Sequence, residues 1–245
     1  MSRAPATAIY QAPDPNKPHI IGGATSRTMR AHWAAIELAL DYSYELIGSR
    51  TGATLTPEFL ALNPKHKIPI LLHQDQVLTE STAIMNYLAR LTSQEKNANR
   101  TSLLPEDVAS WALYDEWQSF ILMELDAQCL YVMRKHGDLS AIYGEAPGAM
   151  KTAANGFEEQ IKIVEAQLSL RKGDGDGDGN GDGSGAWLLG DTFYGVDILL
   201  TTCLEWALSY NFDLSGDLRD YLSRVRAREA YQKARDLNFS IQPGA

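Results

Sequence analysis

Residues 63–89 constrain the fold more than any other part of the chain, because the spacing of their apolar residues changes along the stretch. Apolar residues stand at every second position at first and at every third or fourth position afterwards. A basic turn leads to Ile68-Pro69, and two short apolar runs separated by a polar turn then predict a pair of strands. Proline has no N–H and is poorly tolerated inside a central strand, so we expect Pro69 at the first position of a strand. The spacing from Ala83 onward predicts a helix.

The same stretch has features of a peptide-binding site. A fraction of X-Pro bonds, about 5–6% in folded proteins, is cis, and a cis Ile68-Pro69 bond would turn the Ile68 backbone toward an open edge where an extended peptide can pair. Glu80-Ser81 then opens the predicted helix, whose free amides favour a carboxylate while Glu80 favours an ammonium group. The alternative is an ordinary strand-turn-strand-helix with ordinary caps.

Three short motifs in this stretch carry a family resemblance: Asn63-Pro64, Lys67-Ile68-Pro69 and Glu80-Ser81. In order and spacing they resemble the glutathione-binding half of the soluble glutathione S-transferases, in particular bacterial-type members with a Ser or Thr active site. His66 departs from the glycine that is frequent at its position. The resemblance implies an α/β thioredoxin-like βαβ-ββα domain followed by an all-α domain.

The resemblance also implies glutathione as cosubstrate and assigns binding roles. Glu80 and Ser81 are expected at its γ-glutamyl end, and Ile68, next to Pro69, at its cysteinyl part through the backbone. The remaining carboxylate is expected near Lys67 and Asn63.

A hydroxyl pair, Thr25-Ser26, stands where a short strand from His19, a glycine turn and a helix begin a βαβ unit. A thiol with a reference pKa near 8.5 is brought to roughly 3.5–7.5 by helix N-termini and donors, so either hydroxyl is a candidate to stabilise a bound thiolate. An ordinary N-cap is the alternative. In the resembling family the catalytic hydroxyl lies four or five positions before the residue matching Arg30, which leaves both residues open; Ser26 is preferred.

The composition of successive segments predicts the domain organisation. We expect an N-terminal arm, a thioredoxin-like glutathione-binding domain, a polar linker and an all-helical domain, at 1–18, 19–91, 92–104 and 105–245 respectively. The helical domain is expected to hold one long helix ending near His136 and a last helical region over 218–237.

A Gly/Asp-rich insertion at 173–185 interrupts the helical domain. Its aspartates resemble the ligand positions of an EF-hand calcium loop, but the twelfth position is Gly185 and supplies no bidentate carboxylate. The run therefore predicts a flexible insertion, and no metal site is expected.

Aromatic side chains on the long helix are candidates for a substrate pocket. Tyr114 and Trp117, with Gln118 beside them, are expected to face the thiol and line a pocket for an apolar electrophile. A Trp/Tyr stripe at helical spacing is also typical of a helical core, which is the alternative.

Composition limits the classes of function. The net charge of −9 argues against nucleic acid as the main partner, because phosphate binding needs a basic face. The two cysteines, Cys129 and Cys203, form neither a redox pair nor a metal set, which favours buried thiols in a reducing compartment. No apolar run reaches the ~20 residues of a membrane span and no leader opens the chain, so the sequence predicts a soluble cytoplasmic protein with no membrane partner.

The resemblance thus predicts a glutathione S-transferase that conjugates the glutathione thiolate to a small apolar electrophile, acting in detoxification as a homodimer. Two alternatives stay open. One is a glutathione-dependent disulfide or peroxide reductase on the same fold, and the other is a non-catalytic binding protein that kept this fold.

Overall fold

The structure of the chain is a computed structural model that describes residues 12–93, 102–173 and 187–241. Its backbone divides into two compact units. The first comprises Met1–Leu103 together with Arg226–Ala245, and the second comprises Leu104–Val225.

The elements of the first part of the chain alternate between strand and helix. In chain order they are β1 (His19–Ile21), α1 (Ser26–Glu37), β2 (Ser43–Glu45), a 3-10 turn (Ala53–Leu55), α2 (Pro57–Leu62), β3 (Ile70–His73), β4 (Gln76–Thr79) and α3 (Ser81–Ser93). This is the predicted βαβ-ββα order. Pro69 lies immediately before β3, as expected of a residue without an N–H.

The remaining described elements are helical. They are α4 (Val108–Phe120), a π-helical segment (Ile121–Leu130), α5 (Tyr131–His136), α6 (Ser140–Tyr143), α7 (Pro147–Gly173), α8 (Gly195–Ser209), α9 (Gly216–Arg226) and α10 (Glu229–Asn238). No helix in the described ranges is long and apolar enough to cross a membrane.

The sheet of the first unit has the strand order β2-β1-β3-β4. β1 and β2 are parallel, whereas β3 is antiparallel to both β1 and β4. Ile21 and Ile70 pair across the sheet and pack against Phe59 and Leu62 of α2 in one buried cluster. Side chains alternate along a strand, so the fully buried Ile20 points to the opposite face.

Helix α10 completes the first unit by packing along α1. The Trp33 and Tyr231 rings meet edge to face with centroids 5.1 Å apart. Arg228 forms an ion pair with Glu37, whose carboxylate also accepts a hydrogen bond from the Trp33 indole at 3.0 Å. Aromatic packing and a half-buried ion pair therefore fasten the C-terminal helix to the helix that begins with Ser26.

The second unit packs α7 and α8 against the π-helical segment. Phe157, Val164, Ile198 and Leu204 are among its buried side chains. Cys129 and Cys203 are buried and are not joined in a disulfide, as the sequence predicted, and burial raises the pKa of the Cys129 thiol to about 11.

Several boundaries differ from the sequence predictions. The long helix does end at His136, but ten of its residues have π geometry, which the apolar period does not distinguish from α. The last helical region is two helices, and the second of them lies in the first unit rather than with the predicted domain 105–245. The predicted insertion 173–185, beyond its first residue, and most of the predicted linker and arm lie outside the described residues.

Candidate functional site

Strand register brings three segments to one end of the sheet. β1 and β3 are antiparallel with Ile21 opposite Ile70, and β4 places Thr79 opposite Ile70 on the other side. The residues that follow β1, precede β3 and follow β4 therefore emerge at the same edge. Those segments are 22–26, 67–69 and 80–81, which contain most of the residues predicted for the glutathione site.

The segment before β3 presents backbone groups. The Ile68-Pro69 peptide bond is cis, as the sequence predicted. Within the described ranges, no hydrogen bond engages the Ile68 amide or carbonyl. These groups are the ones expected to pair with an extended peptide.

Asn63 builds the turn that leads to this segment. Its side-chain amide donates to the Lys67 carbonyl at 2.7 Å, and its side-chain oxygen accepts from the Lys65 amide at 3.1 Å. Both ends of the buried side chain are thus used inside the turn. Asn63 is therefore a buried residue that holds the backbone of Lys67, and its side chain does not lie at the surface.

The segment after β4 combines an unusual backbone with a helix start. Glu80 has a positive φ of 75°, a region that non-glycine residues adopt at a cost of about 1–3 kcal/mol and that clusters at functional sites. Ser81 is the first residue of α3 and is buried, and no hydrogen bond of its hydroxyl is found in the described part of the chain. The amides of the first helical turn and this hydroxyl form a ready anion site.

Lys65 forms an ion pair with the Glu80 carboxylate and also donates to the Thr79 hydroxyl at 3.0 Å. The two charged side chains are 42% and 71% exposed, and exposed pairs contribute only about 0–1 kcal/mol. A ligand ammonium can therefore share or replace Lys65 at little cost. The sequence reasoning missed this pair, because two side chains fifteen positions apart carry no periodic signal.

The two candidate hydroxyls have different surroundings. Thr25 is the N-cap of α1: its hydroxyl oxygen accepts from the Thr28 amide at 3.0 Å and lies 2.9 Å from the Thr28 hydroxyl. Ser26 is the first helical residue and is partly exposed, and its hydroxyl makes no hydrogen bond within the described ranges. Thr25 is thus engaged in capping, whereas Ser26 has a hydroxyl available for a ligand.

The turn before these hydroxyls is fixed from inside the unit. Gly22 has a φ of 128°, and a Cβ there would lie 2.8 Å from side-chain atoms of both Ile68 and Thr28. The buried His32 ring nitrogen Nε2 lies 2.9 Å from the Gly22 carbonyl, so Nε2 carries the proton and donates it. Burial lowers the pKa of His32, while the bond to Gly22 opposes that shift. A neutral imidazole therefore anchors the turn.

Asn238, at the end of α10, contacts the same turn from the far end of the chain. Its backbone carbonyl accepts from the Ala24 amide at 2.6 Å, and its side chain bonds Thr25 and Thr28. No sequence signal predicted this contact, which spans more than 200 positions.

The predicted substrate-pocket residues lie on α4 in the second unit. Tyr114 is fully buried, with its ring 5.5 Å from Trp111 and 6.5 Å from Tyr194. Trp117 is 9% exposed and packs on Phe120. Gln118 is partly exposed. A role for these residues in holding an electrophile stays a prediction.

Part of the first unit matches a known protein family. Residues 21–90 match the family model of the glutathione S-transferase N-terminal domain. Glutathione S-transferase 1 of Dianthus caryophyllus is 40% identical over 74 residues, 30% of this chain and 31% of that protein. In such plant relatives the matched segment spans about a third of the relative's length.

Longer alignments extend the likeness. A zeta-class glutathione S-transferase of Euphorbia esula is 24% identical over 224 residues, 89% of this chain and 88% of that protein. A glutathione transferase of Burkholderia graminis, solved with two glutathione molecules bound per subunit, aligns with a TM-score of 0.73 at 22% identity over 95% of this chain and 92% of that chain. The chain thus has the predicted glutathione transferase fold, and together these comparisons support the glutathione S-transferase superfamily.

Proposed function

We propose that this chain is a glutathione transferase that activates the glutathione thiol and transfers it to a small apolar electrophile. The observation that carries the proposal lies at one sheet edge, where the Ser26 hydroxyl and the Ile68 backbone groups make no hydrogen bond to any described residue and where α3 begins. A tripeptide thiol has three kinds of group to hold, and this edge offers a partner for each.

The proposed pose follows from those partners. The Ile68 amide and carbonyl pair with the cysteinyl part of the tripeptide as a strand would. The γ-glutamyl carboxylate accepts from Ser81 and the α3 amides, and its ammonium takes the Glu80 carboxylate in place of Lys65. Lys67, whose carbonyl Asn63 holds, serves the remaining carboxylate.

The chemistry then needs a thiolate. A hydrogen bond to a charged acceptor is worth about 1.5–3 kcal/mol, which corresponds to about 1–2 units of thiol pKa. Donation by Ser26 at the α1 N-terminus supplies such a bond, and the helix dipole adds to it in the same direction. The thiolate attacks the electrophile, the new carbon–sulfur bond displaces the leaving group, and the thiol proton passes to solvent.

Titration calorimetry with glutathione tests the binding half of the proposal. Glu80→Gln removes the partner of the ligand ammonium, and we expect it to weaken binding by about 10- to 150-fold, from the ~1.5–3 kcal/mol of a charged hydrogen bond. Glu58→Gln, an exposed acidic side chain in the first turn of α2, is the matched control and is expected to bind as the wild type does. Equal affinity in Glu80→Gln and wild type, or no binding at millimolar glutathione, would overturn the proposed site.

A second candidate is a glutathione-dependent disulfide or peroxide reductase on the same site. It is favoured by related folds solved with two glutathione molecules or with one glutathione disulfide per subunit. In that reaction the same thiolate attacks a disulfide sulfur or a peroxide oxygen, which breaks the S–S or O–O bond and releases a thiolate or an alkoxide. A second glutathione then displaces the remaining thiol or water and completes glutathione disulfide. Glutathione disulfide formed from a small disulfide or peroxide, at a rate exceeding conjugation to an electrophile panel, would select this candidate over the transferase.

The proposed transferase acts as a homodimer, as the family resemblance implies. Sedimentation equilibrium of the purified chain measures this directly. A third outcome concerns both activities. Binding of glutathione without conjugation to an electrophile and without formation of glutathione disulfide would favour a non-catalytic binding protein.

A further inference from the structure

Asn238 joins the C-terminal helix to the turn that carries Ser26. Its side-chain oxygen accepts the Thr28 hydroxyl at 2.7 Å, its side-chain amide donates to the Thr25 carbonyl at 3.1 Å, and its backbone carbonyl accepts the Ala24 amide at 2.6 Å. The residue is fully buried. Three hydrogen bonds from one residue thus reach positions on both sides of Ser26.

These bonds form one network with the cap of α1. The Thr28 hydroxyl that donates to Asn238 also accepts from the Thr25 backbone amide at 3.1 Å, while Thr25 caps the helix through its own side chain. A buried amide whose donor and acceptor are both satisfied fixes its partners in one arrangement, because any other leaves a buried polar group unpaired. Ser26 lies inside this network without being used by it.

The packing of α10 does not depend on this residue alone. Tyr231 packs on Trp33, and Arg228 pairs with Glu37, both farther along α1 from the turn. The two side-chain hydrogen bonds of Asn238 are made instead to Thr25, the N-cap of α1, and to Thr28 in the first turn of that helix. The attachment of the helix and the fixing of the turn are therefore separable by mutation.

We infer that Asn238 is a positioning residue for the proposed reaction: through Thr25 and Thr28 it holds the α1 N-terminus so that the Ser26 hydroxyl points at the bound sulfur. Asn238 itself touches neither glutathione nor the electrophile. The inference rests on the proposed function for its catalytic consequence, while the fixing of the turn is testable without any ligand.

The first test is hydrogen–deuterium exchange of the full chain without ligand. Asn238→Ala removes both side-chain bonds, and we expect amides in 24–28 to exchange at least about threefold faster, since local opening there becomes easier. Tyr231→Leu is the control: it weakens the packing of α10 on α1 and leaves both bonds in place. We expect its 24–28 segment to exchange as in the wild type.

The second test is the pH profile of glutathione conjugation in the same variants. A displaced hydroxyl stabilises the thiolate less and so leaves the thiol with a higher pKa. Asn238→Ala is therefore expected to lower kcat about 3- to 30-fold near neutral pH and to move the acid limb of the profile to higher pH. KM for glutathione should stay near the wild-type value, because the proposed binding groups at Ile68, Glu80 and Ser81 are untouched. Tyr231→Leu is expected to keep the acid limb unchanged.

The outcomes separate the two proposals. Unchanged exchange over 24–28 in Asn238→Ala, or equal acceleration in Tyr231→Leu, overturns the inference whatever the activity. Faster exchange with a wild-type pH profile also overturns it, since the turn then loosens without consequence for the thiolate. Asn238→Ala could also exchange faster over 24–28 while the wild-type protein fails to ionise bound glutathione. That result would refute the proposed function, but the role of Asn238 in fixing the turn would stand.

Discussion

Asp197 is the polar centre of the second unit, and its removal is expected to cost much of that unit's stability. The fully buried carboxylate lies in the first turn of α8. One oxygen accepts from the Leu188 amide at 2.9 Å and from the Tyr221 hydroxyl at 2.8 Å, and the other accepts from the Tyr194 amide at 2.9 Å. It therefore joins the loop before α8, the start of α8 and helix α9.

The magnitude follows from these three bonds. Each hydrogen bond to a charged acceptor contributes about 1.5–3 kcal/mol. When the carboxylate is removed, water that enters its place bonds some of the freed donors and offsets part of this loss. Asp197→Ala leaves three buried donors without this acceptor, at about 1–3 kcal/mol for each donor that stays unsatisfied, so we expect a total cost of about 3–5 kcal/mol. Tyr221→Phe removes one donor and leaves two, so its expected cost is about 1–2 kcal/mol.

Urea denaturation followed by circular dichroism measures both variants and the double variant. With a slope of roughly 2–3 kcal/mol per molar urea for a chain of this size, Asp197→Ala should lower the midpoint by about 1–2 M. Because both residues share one bond, the double variant should cost about 1–2 kcal/mol less than the sum of the single variants. A loss under about 1 kcal/mol in Asp197→Ala, or strict additivity, would refute this description of the network.

Two further predictions concern the turn at the proposed site. Gly22→Ala adds a Cβ within 2.8 Å of Ile68 and Thr28 atoms at a φ of 128°, so we expect a loss of about 2–5 kcal/mol in urea denaturation and no glutathione binding; a soluble, wild-type-like variant would contradict the geometry. Burial lowers the pKa of His32, so the unfolded chain takes up this proton at higher pH than the folded chain. The stability that His32 contributes is therefore complete above its unfolded pKa of about 6.5 and is lost as pH falls through the folded pKa, and between about pH 7.5 and 5.5 His32→Gln should lose less stability than wild type. If the free energy of unfolding changed equally with pH in the two proteins, His32 would not be a group that takes up a proton on unfolding.

The features that the sequence predicted correctly depend on local chemistry. Pro69 was expected at the first position of a strand because it lacks an N–H, and a cis Ile68-Pro69 bond was expected at the turn before it. The structure has the cis bond, and Pro69 lies immediately before β3. The Thr25-Ser26 hydroxyls likewise predicted the start of α1, but their spacing did not show that Thr25 is the residue that caps the helix.

The features that escaped prediction depend on distant partners. The sequence predicted a last helical region over 218–237 but did not predict the break after Arg226, beyond which α10 belongs to the first unit. The role of Asn238 then depends on which residues of α1 face it, which no spacing along the chain encodes. The same holds for Asn63, whose amide groups could serve a ligand or a turn and are used by the turn.

The most direct test of the proposed thiol activation is the pKa of the thiol of bound glutathione, measured by ultraviolet titration of the thiolate. Thr25→Ser keeps a capping hydroxyl and is the matched control for Ser26→Ala, while S-methylglutathione, which has no thiol, checks that each variant still binds the tripeptide. We expect a bound-thiol pKa well below the reference of about 8.5 in wild type and Thr25→Ser, and a pKa higher by about 1–2 units in Ser26→Ala. A bound thiol that titrates near its reference value in the wild type, or equally low with and without the Ser26 hydroxyl, would contradict it.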